Sequence, residues 1–352
     1  MRLTILQVAY PLAPVGPDTA GGAEQILGHI DRALVEAGHR SLVIARADSQ
    51  TAGTLVPVPR MDGPLDDDAI RAAHRHHAMA IQMALARWPV DLIHMHGVDF
   101  HAYLPPRGVP VLATLHLPVD WYPPEALSPS RPDTWLHCVS ATQHATCRDS
   151  RCLLPPIENG VPVPASLPRQ AKRRFALAMA RICPEKGIHH AIDAAKRAGI
   201  PLLIAGEVFN YPAHRRYFEE QVAPRLDPAR RFIGQVGSRR KQRLLAAARC
   251  LLVPSLVPET SSLVAREALA AGTPVIAFAQ GALPQLISHG RTGFLVRSVD
   301  EMAAAIRAAH GIDPNACREA ARPFSLDRMI EQYFALYRRL VRSHHAPMAG
   351  TA

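Results

Sequence analysis

The chain has 352 residues, of which 48% are hydrophobic, and a formal net charge of +10 at pH 7. Single hydrophobic cores rarely grow beyond about 250 to 300 residues, so this length predicts two domains. No apolar run approaches the roughly 20 residues of a membrane-spanning helix. Residues 1–10 also lack a signal-peptide cleavage pattern. We therefore expect a soluble, cytoplasmic protein.

The positive charge attracts phosphates, acidic lipid surfaces or nucleic acid without indicating a fold. Aromatic residues make up only 5% of the chain, and no zinc finger, helix-turn-helix or aromatic RNA-binding motif accompanies the charge. We therefore expect no nucleic-acid partner. Peripheral contact with the anionic inner face of a membrane stays open on charge alone.

Six cysteines are scattered along the chain, without a CxxC pair or a histidine at the spacing of a zinc site. Free thiols in a reducing compartment are the simplest interpretation. His74, His76 and His77 form a cluster, but they fall in a polar helical stretch, which favours a solvated helix face. His94 and His96 are a second close pair. We predict no metal site.

Apolar runs and amphipathic stretches alternate through the first half of the sequence. The predicted strands are at residues 3–9, 41–45, 91–95, 109–115 and 135–139, and the predicted helices are at 23–37, 66–87 and 141–147. Strands that alternate with helices at this spacing indicate a parallel, doubly wound sheet, which binds ligands at the carboxyl ends of its strands.

Five prolines between residues 155 and 168 interrupt this pattern. Proline cannot continue a helix or a central strand, so we place the linker there. The alternation then restarts, with predicted strands at 175–179, 202–205, 231–233, 250–253 and 274–277 and predicted helices at 188–198, 214–222, 239–247 and 262–271. The second half is therefore another Rossmann-like domain. The expected domains are residues 1–163 and 164–324.

The C-terminal part of the sequence has a helical pattern of its own. Apolar residues recur there at three- and four-residue steps, among them Met329, Ile330, Tyr333, Phe334 and Tyr337. This spacing predicts an amphipathic helix, expected at residues 325–343, whose apolar stripe needs a surface to cover.

The most informative segment is PSLVPETSSLVAREALAAGTPVIA, at residues 254–277. A proline-bounded loop presents Glu259, Ser261 or Ser262 can cap the helix that follows, and Glu267 lies about one and a half turns into that helix. Backbone N–H groups at the start of the helix form an anion site that can hold a diphosphate. The two carboxylates can accept hydrogen bonds from sugar or ribose hydroxyls. An ordinary capped helix with a solvated glutamate is the alternative.

These residues resemble a known family. The Glu-x7-Glu segment is followed by Gly281-Ala282-Leu283-Pro284 and by HGRTGFLV at 289–296, and the whole is similar to glycosyltransferase family 4, whose fold is called GT-B. The resemblance extends from GGAE at 21–24 to the C-terminal helix. It implies two Rossmann-like domains that face each other across a cleft, with the C-terminal helix crossing back to the first domain.

By this resemblance, the second domain binds a nucleotide-sugar donor, either a UDP-sugar or a GDP-sugar. Glu267 would bind the ribose hydroxyls, and Glu259 would lie beside the transferred sugar as a catalytic residue. The backbone amides of Ser261, Ser262 and Leu263 would meet the sugar and the diphosphate.

Arg181 and Lys186, in the segment ARICPEKG, resemble the phosphate-holding pair of the family. A guanidinium and an ammonium beside a diphosphate neutralise the charge that grows on the leaving group. A basic loop on a basic protein is the alternative. Gly206 ends a strand near the donor, and the loop of Gln235 and Val236 corresponds to the one whose backbone contacts the nucleobase.

In the first domain, Gly21 and Gly22 open a helix and permit close approach of the backbone to phosphate or sugar. An ordinary helix start is the alternative. His116 follows a strand and matches the family's histidine near the donor sugar, where a neutral imidazole can bond to a hydroxyl. Asp120, on the same loop, is a candidate for the acceptor, and Ser140 is expected to cap a helix.

Three residues depart from the family pattern. Ala282 stands where a second glycine is usual, Gln285 stands where a glutamate is usual, and Ala180 replaces the glycine before Arg181. None of the three removes a carboxylate or a cation on which the donor site depends.

The resemblance implies a retaining hexosyltransferase that works without a metal or other cofactor, in which the donor diphosphate orients the acceptor hydroxyl. The acceptor, whether a small molecule, a glycan or a lipid-linked sugar, is not specified by the sequence. A nucleotide-sugar epimerase or a sugar phosphorylase on the same fold is one alternative. A non-catalytic basic protein that binds nucleotides or anionic surfaces is another, and such a protein would not require the set Arg181, Lys186, Glu259 and Glu267.

Overall fold

The structure is a computed structural model that describes residues 2–19, 21–61, 63, 65–164 and 171–345. The chain folds into two compact units. The first unit contains the residues up to Glu158 together with those from Arg328 onward, and the second contains Asn159–Asp327.

The boundary between the units along the chain falls between residues 158 and 159, earlier than the boundary expected at residue 163. Backbone hydrogen bonds explain the difference, because Val161 donates to the carbonyl of Phe324 and Leu326 donates to the carbonyl of Val161, each at 2.9 Å. These bonds attach residues 159–164 to the end of the second unit. The last part of the predicted linker, residues 165–168, lies outside the described residues.

The first unit is a parallel sheet covered by helices. Its strands are β1 Thr4–Val8, β2 Arg40–Arg46, β3 Thr54–Val58, β4 Leu92–Met95, β5 Val111–Leu115, β6 Thr134–Cys138 and β7 Leu153–Leu154. Its helices before the C-terminal segment are α1 Gly22–Glu36, α2 Asp67–Arg87, α3 Pro124–Leu127 and α4 Ala141–His144. The strand order is β3-β2-β1-β4-β5-β6-β7.

Burial explains why these apolar runs form central strands. Every residue of β4 and β5 is buried, as expected for a parallel sheet that helices cover on both faces. The β3 strand, which the sequence analysis did not predict, lies at the sheet edge, where Pro57 can be accommodated because no further strand needs its missing N–H. Ser140 caps α4 as predicted, since its hydroxyl accepts from the backbone of Gln143 at 3.1 Å.

The second unit repeats the same topology. Its strands are β8 Ala176–Met179, β9 Leu202–Ala205, β10 Arg230–Phe232, β11 Cys250–Val253, β12 Val275–Phe278 and β13 Gly293–Val296. Its helices are α5 Ile188–Ala198, α6 Pro212–Tyr217, α7 Ser238–Ala247, α8 Leu263–Ala270, α9 Leu283–Leu286, α10 Val299–Ala308 and α11 Pro314–Ala321.

The order β10-β9-β8-β11-β12-β13 corresponds, strand for strand, to the first six strands of the other unit. Apolar clusters cover both faces of this sheet. Both units are therefore doubly wound and Rossmann-like, as predicted. In such sheets, ligands bind beyond the carboxyl ends of the strands, where the strand order reverses.

The C-terminal helix α12, Leu326–His345, packs on the first unit through the predicted stripe. Met329, Tyr333 and Tyr337 are almost completely buried, and the hydroxyl of Tyr337 lies 2.7 Å from Nδ1 of His94. Among the described residues, no helix, α12 included, is long and apolar enough to cross a membrane.

We predict that a chain ending before Leu326 is poorly soluble or inactive, because it exposes the surface that α12 covers. Burial of each large apolar side chain contributes about 1.5 to 3 kcal/mol. A chain ending at Ser343 is the matched control and should retain its thermal midpoint. Wild-type activity and stability after loss of residues 326–341 would show that the helix does not pack as described.

Candidate active site

The predicted donor residues converge at one edge of the second sheet. Arg181 and Lys186 follow β8, Gly206 follows β9, and Gln235 and Val236 follow β10. The loop after β11 carries the Glu-x7-Glu segment. Because parallel strands end at the same edge, four loops distant in sequence meet beyond the carboxyl ends of neighbouring strands.

Lys186 and Glu259 form an ion pair with Nζ 2.6 Å from Oε1, and the Glu259 side chain is only 9% exposed. Burial raises the pKa of Glu259, but Lys186, a hydrogen bond from Ser255 and the charge of Arg181 outweigh it and hold this pKa below its ordinary value. Glu259 is therefore a carboxylate at neutral pH. Its pairing with Lys186 was not apparent from the sequence, which predicted separate partners for the two residues.

Arg181 is half-buried, and its guanidinium forms no ion pair with any described residue. A half-buried cation that makes no direct ion pair can bind an anionic ligand. The neighbouring Gly187 adopts a left-handed conformation, with φ of 59°, and a Cβ at this position would collide with the carbonyl oxygen of Pro254. This close contact fixes the basic loop against the end of β11.

A second close contact holds the Glu259 loop. Gly281 has a φ of 58°, and a Cβ there would collide with the backbone of Glu259. The backbone N–H of Ala282 donates to the carbonyl of Glu259 at 2.8 Å. The alanine that replaces the family's second glycine thus keeps the loop hydrogen bond, because that bond uses only the backbone.

The N-terminus of α8 presents free donors. No described residue accepts a hydrogen bond from the backbone N–H of Ser261, Ser262 or Leu263. Ser262 adopts a left-handed conformation with φ of 50°, and its buried hydroxyl has no partner. The expected side-chain cap is therefore absent at Ser262, and Ser261 instead accepts from Nδ2 of Asn159 at 2.9 Å. A strained non-glycine residue with unused donors is typical of a ligand site.

Glu267 is paired with Lys241 of α7, with Nζ 2.6 Å from Oε1. The two side chains are 14% and 18% exposed. A carboxylate has a second oxygen and further lone pairs, so Glu267 can accept from a ligand while it keeps this partner. Lys241 could not be predicted from the sequence, since nothing in its local pattern distinguishes it from the other basic residues of α7.

Gly206 permits a close approach of the chain beyond β9. Its φ is 153°, and a Cβ would collide with the carbonyl oxygen of Ala180. Its backbone N–H donates to the carbonyl of Gly234 at 3.0 Å, which ties it to the loop of Gln235 and Val236. Ala180, which replaces the family's glycine before Arg181, thus packs directly on the glycine that shapes this edge.

In the first unit, Gly21 and Gly22 begin α1 after β1. A Cβ at Gly21 would collide with the carboxylate of Glu24, which is buried. The carboxylate is the end of a flexible side chain that can move aside, and Gly21 has an ordinary φ of -83°. The glycine leaves room for this carboxylate over the first turn of α1, but the contact does not by itself require a glycine.

His116 follows β5 and stacks on His96, with ring centroids 5.4 Å apart and Nε2 3.1 Å from Nδ1 of His96. Burial, with a smaller effect from the charge of His137, lowers the pKa of His116 to about 3. The imidazole is therefore neutral, as expected of a group that bonds to hydroxyls. Asp120 lies in a short turn after the same strand and is exposed.

Comparison with known proteins identifies the family of the chain. The family model described as Glycosyltransferase Family 4 matches residues 20–148, and the model described as Glycosyl transferases group 1 matches residues 173–310. Glycogen synthase of Mycobacterium tuberculosis is 27% identical, over 92% of this chain and 89% of its own length. The chain belongs to the GT4-type glycosyltransferases of the GT-B fold.

Two solved structures illustrate the shared fold of this glycosyltransferase. Sucrose-phosphate synthase from Thermosynechococcus elongatus gives a TM-score of 0.77 at 22% identity, over 97% of this chain and 100% of that chain. The Anabaena protein HepE in complex with UDP-glucose gives a TM-score of 0.70 at 19% identity, over 96% and 100%. At these identities the structural similarity shows a shared fold and nothing more.

Two histidines of the glycosyltransferase, His74 and His77, were predicted on a solvated helix face but are not exposed. His77 is completely buried, and burial lowers its pKa to about 4. His74 lies 2.6 Å from Asp99, so the helix face predicted to be solvated is partly a buried polar face. His94 is buried between Thr114 and Tyr337, each at 2.7 Å.

One cluster of metal-ligand type occurs in the described part of the glycosyltransferase. It consists of Cys183, Glu185 and His214, whose ligand atoms lie within 4.8 Å of one another. Cysteine spacing gave no sign of it, because His214 comes from a separate element, α6. Burial raises the pKa of the Cys183 thiol to about 11, which favours a protonated thiol over a metal thiolate. Burial, followed by the charge of Arg181, lowers the pKa of His214 and keeps its imidazole neutral.

Proposed function

We propose that this glycosyltransferase transfers a hexosyl group from a UDP- or GDP-sugar to an acceptor hydroxyl, with retention of the anomeric configuration. The observation that carries the proposal is the Lys186–Glu259 pair beside Arg181 and the N-terminus of α8, whose guanidinium and N–H groups have no partner within the described part of the chain. HepE, whose structure contains UDP-glucose, and glycogen synthase support a donor of this class.

The basic residues of the second unit fit a departing diphosphate. A lysine ammonium has three donors, so Lys186 can bind a phosphate oxygen while it keeps Glu259. Arg181 presents a planar fork that matches phosphate geometry. Together with the N-terminus of α8, these groups would stabilise the negative charge that develops as the sugar–oxygen bond breaks.

The carboxylates fit the sugars of the donor. Glu259 is ionised and held in place by Lys186, so it would accept hydrogen bonds from the transferred sugar and favour positive charge at its anomeric carbon. Glu267 would accept from the ribose hydroxyls through the oxygen that Lys241 does not occupy. The neutral His116 would bond to a sugar hydroxyl, and the backbone of Gln235 and Val236 would contact the base.

Retention by front-side attack is favoured because the second unit supplies cations and fixed donors on the diphosphate side. The acceptor hydroxyl would approach from that side and pass its proton to the leaving diphosphate. Acceptor recognition would fall to loops of the first unit, with Asp120 as a candidate, since loops diverge more than the sheet that supports them.

A donor screen tests the proposal. A ligand present at 100 times its dissociation constant adds about 2.7 kcal/mol of stability, so the correct nucleotide sugar should raise the thermal midpoint above that of the free chain. Release of nucleoside diphosphate with acceptor, and an unchanged anomeric configuration by NMR, are the expected results. An inverted product would rule out front-side transfer, and sugar interconversion with donor alone would indicate an epimerase.

We predict that transfer survives treatment with EDTA. Arg181, Lys186 and the α8 N-terminus carry the positive charge that a metal ion supplies in other phosphate sites. A Cys183→Ser variant, assayed in parallel, removes the thiol of the cluster formed by Cys183, Glu185 and His214. Loss of activity with EDTA, followed by rescue with Mg²⁺ or Mn²⁺, would contradict metal independence.

A further inference from the structure

A groove opens at the opposite edge of the second sheet from the donor residues. Its volume is ≈ 740 Å³, and it lies where β8, β9 and β10 begin and where α7 ends. The donor residues follow the carboxyl ends of these same strands, so the sheet itself separates the two regions. Pockets that bind small molecules are commonly of about 300 to 1,000 Å³, so this groove has the size of a ligand site.

Arginine dominates the polar lining of the groove. It contributes four side chains, which are Arg173, Arg231, Arg240 and Arg243. All four are exposed, and none of them forms an ion pair or side-chain hydrogen bond with another residue in the described part of the chain. Four like charges gathered without a counter-ion repel one another, so an anion that binds among them relieves that repulsion.

The carboxylate of Asp227, just before β10, does not neutralise this charge. Asp227 pairs with Arg230 and also accepts from the backbone N–H groups of Ala229 and Arg230, at 2.9 and 2.8 Å. Its carboxylate oxygens therefore already accept hydrogen bonds from residues at the start of β10. The excess positive charge of the groove remains available to an outside partner.

The remaining lining is largely apolar. Phe175, Leu203 and Leu244 are half-buried and form a floor between the arginines. A purely ionic site would not need this floor, whereas a ligand with an apolar or aromatic portion would remove it from water. The groove thus offers arginines for an anionic group and an apolar floor for a hydrophobic group of the same ligand.

We propose that this groove binds an amphiphilic phosphoanion, with its phosphate held by the arginines and its apolar portion against Phe175, Leu203 and Leu244. Arginine suits this ligand because its planar fork bonds to two phosphate oxygens at once. The site does not depend on the donor chemistry proposed above, because none of its residues belongs to the donor site.

The test uses octyl phosphate, below its micelle-forming concentration, with the full chain. We expect octyl phosphate to bind at least about tenfold more tightly than inorganic phosphate, because of the apolar floor. In the double variant Arg240→Gln/Arg243→Gln, binding should weaken by at least about tenfold, since two charged hydrogen-bond donors are lost. Both positions are exposed on α7, so the fold should be unaffected.

Two further variants make the result specific. Arg32→Gln/Arg75→Gln removes the same charge from exposed positions on α1 and α2 and should leave binding unchanged. Arg181→Ala disables the donor site and should also retain binding of octyl phosphate. The proposal would be overturned if wild type and the α7 variant bound octyl phosphate equally, or if the α1/α2 control lost as much binding as the α7 variant. It would also be overturned if only Arg181→Ala lost binding, or if octyl phosphate and inorganic phosphate bound with equal affinity.

Vesicle sedimentation distinguishes the source of the ligand. Sedimentation with phosphatidylglycerol vesicles but not with phosphatidylcholine vesicles, lost in the α7 variant, would identify a lipid headgroup. Binding of octyl phosphate without sedimentation would identify a soluble phosphorylated molecule. Either result supports a phosphoanion groove.

Discussion

Replacement of Arg181 or Lys186 by alanine is expected to lower kcat by about 10²- to 10³-fold, the usual effect of losing one fixed donor at a developing negative charge. Both residues lie at the carboxyl end of β8, and Lys186 is within 2.6 Å of Glu259. Steady-state kinetics with the donor found by the screen provide the measurement. Wild-type turnover in both variants would show that the donor site is elsewhere.

The pH profile separates a catalytic role from a structural one. Lys186 holds the pKa of Glu259 below its ordinary value, so Lys186→Ala should raise this pKa and move the acidic limb of the rate profile to higher pH. Arg197→Ala is the matched control, because Arg197 is an exposed cation of the same unit that pairs only with the exposed Asp300. It should leave both kcat and the pH profile unchanged.

The predicted fold and site depended on signals that are local in sequence. Buried strands such as β4 and β5 are continuous apolar runs, and the candidate site could be proposed because Glu259 and Glu267 lie in one loop–helix segment. Edge strands gave weaker signals: β3 contains Pro57, and β13 begins with a glycine. The helices α10 and α11 were not predicted, although Ser298 caps α10 through the N–H of Glu301 at 3.1 Å.

The ion pairs of the site could not be predicted because they join residues far apart in the chain. Lys186 meets Glu259 only after β8 and β11 have paired, and Lys241 meets Glu267 only when α7 packs beside α8. Tertiary packing also explains why the burial of His77 was not predicted. The polarity of its helix predicted exposure, whereas packing in the first unit buries its side chain.

The first unit is expected to unfold cooperatively when the pH falls to about 5, because four histidines are buried there in their neutral form. These are His77, His94, His96 and His137, each at most 2% exposed. Burial lowers the pKa of His77 and of His137 to about 4, and it holds those of His94 and His96 well below the ordinary value.

The direction in which stability changes with pH follows from proton binding. The unfolded chain protonates these histidines near pH 6.5, whereas the folded unit does not, so the unfolded state binds more protons and stability rises with pH. The contribution is complete above about pH 6.5 and is lost as the pH falls toward the folded pKa values. Between pH 7 and pH 5 this costs about 2 kcal/mol for each of His77 and His137, whose folded pKa values are about 4. His94 and His96 change stability in the same direction. The loss is a large part of the stability of many domains, which is about 5 to 15 kcal/mol.

Tryptophan fluorescence isolates this transition, since Trp88, Trp121 and Trp135 all lie in the first unit. His77→Leu is the informative variant, because burial lowers the pKa of His77 to about 4 and leucine is apolar and cannot bind a proton. Removing this titrating group should lower the pH midpoint of unfolding. The exposed His310, replaced by glutamine, should not change it. A midpoint that is the same in wild type and His77→Leu would mean that His77 is protonated in the folded unit or that other groups control acid unfolding.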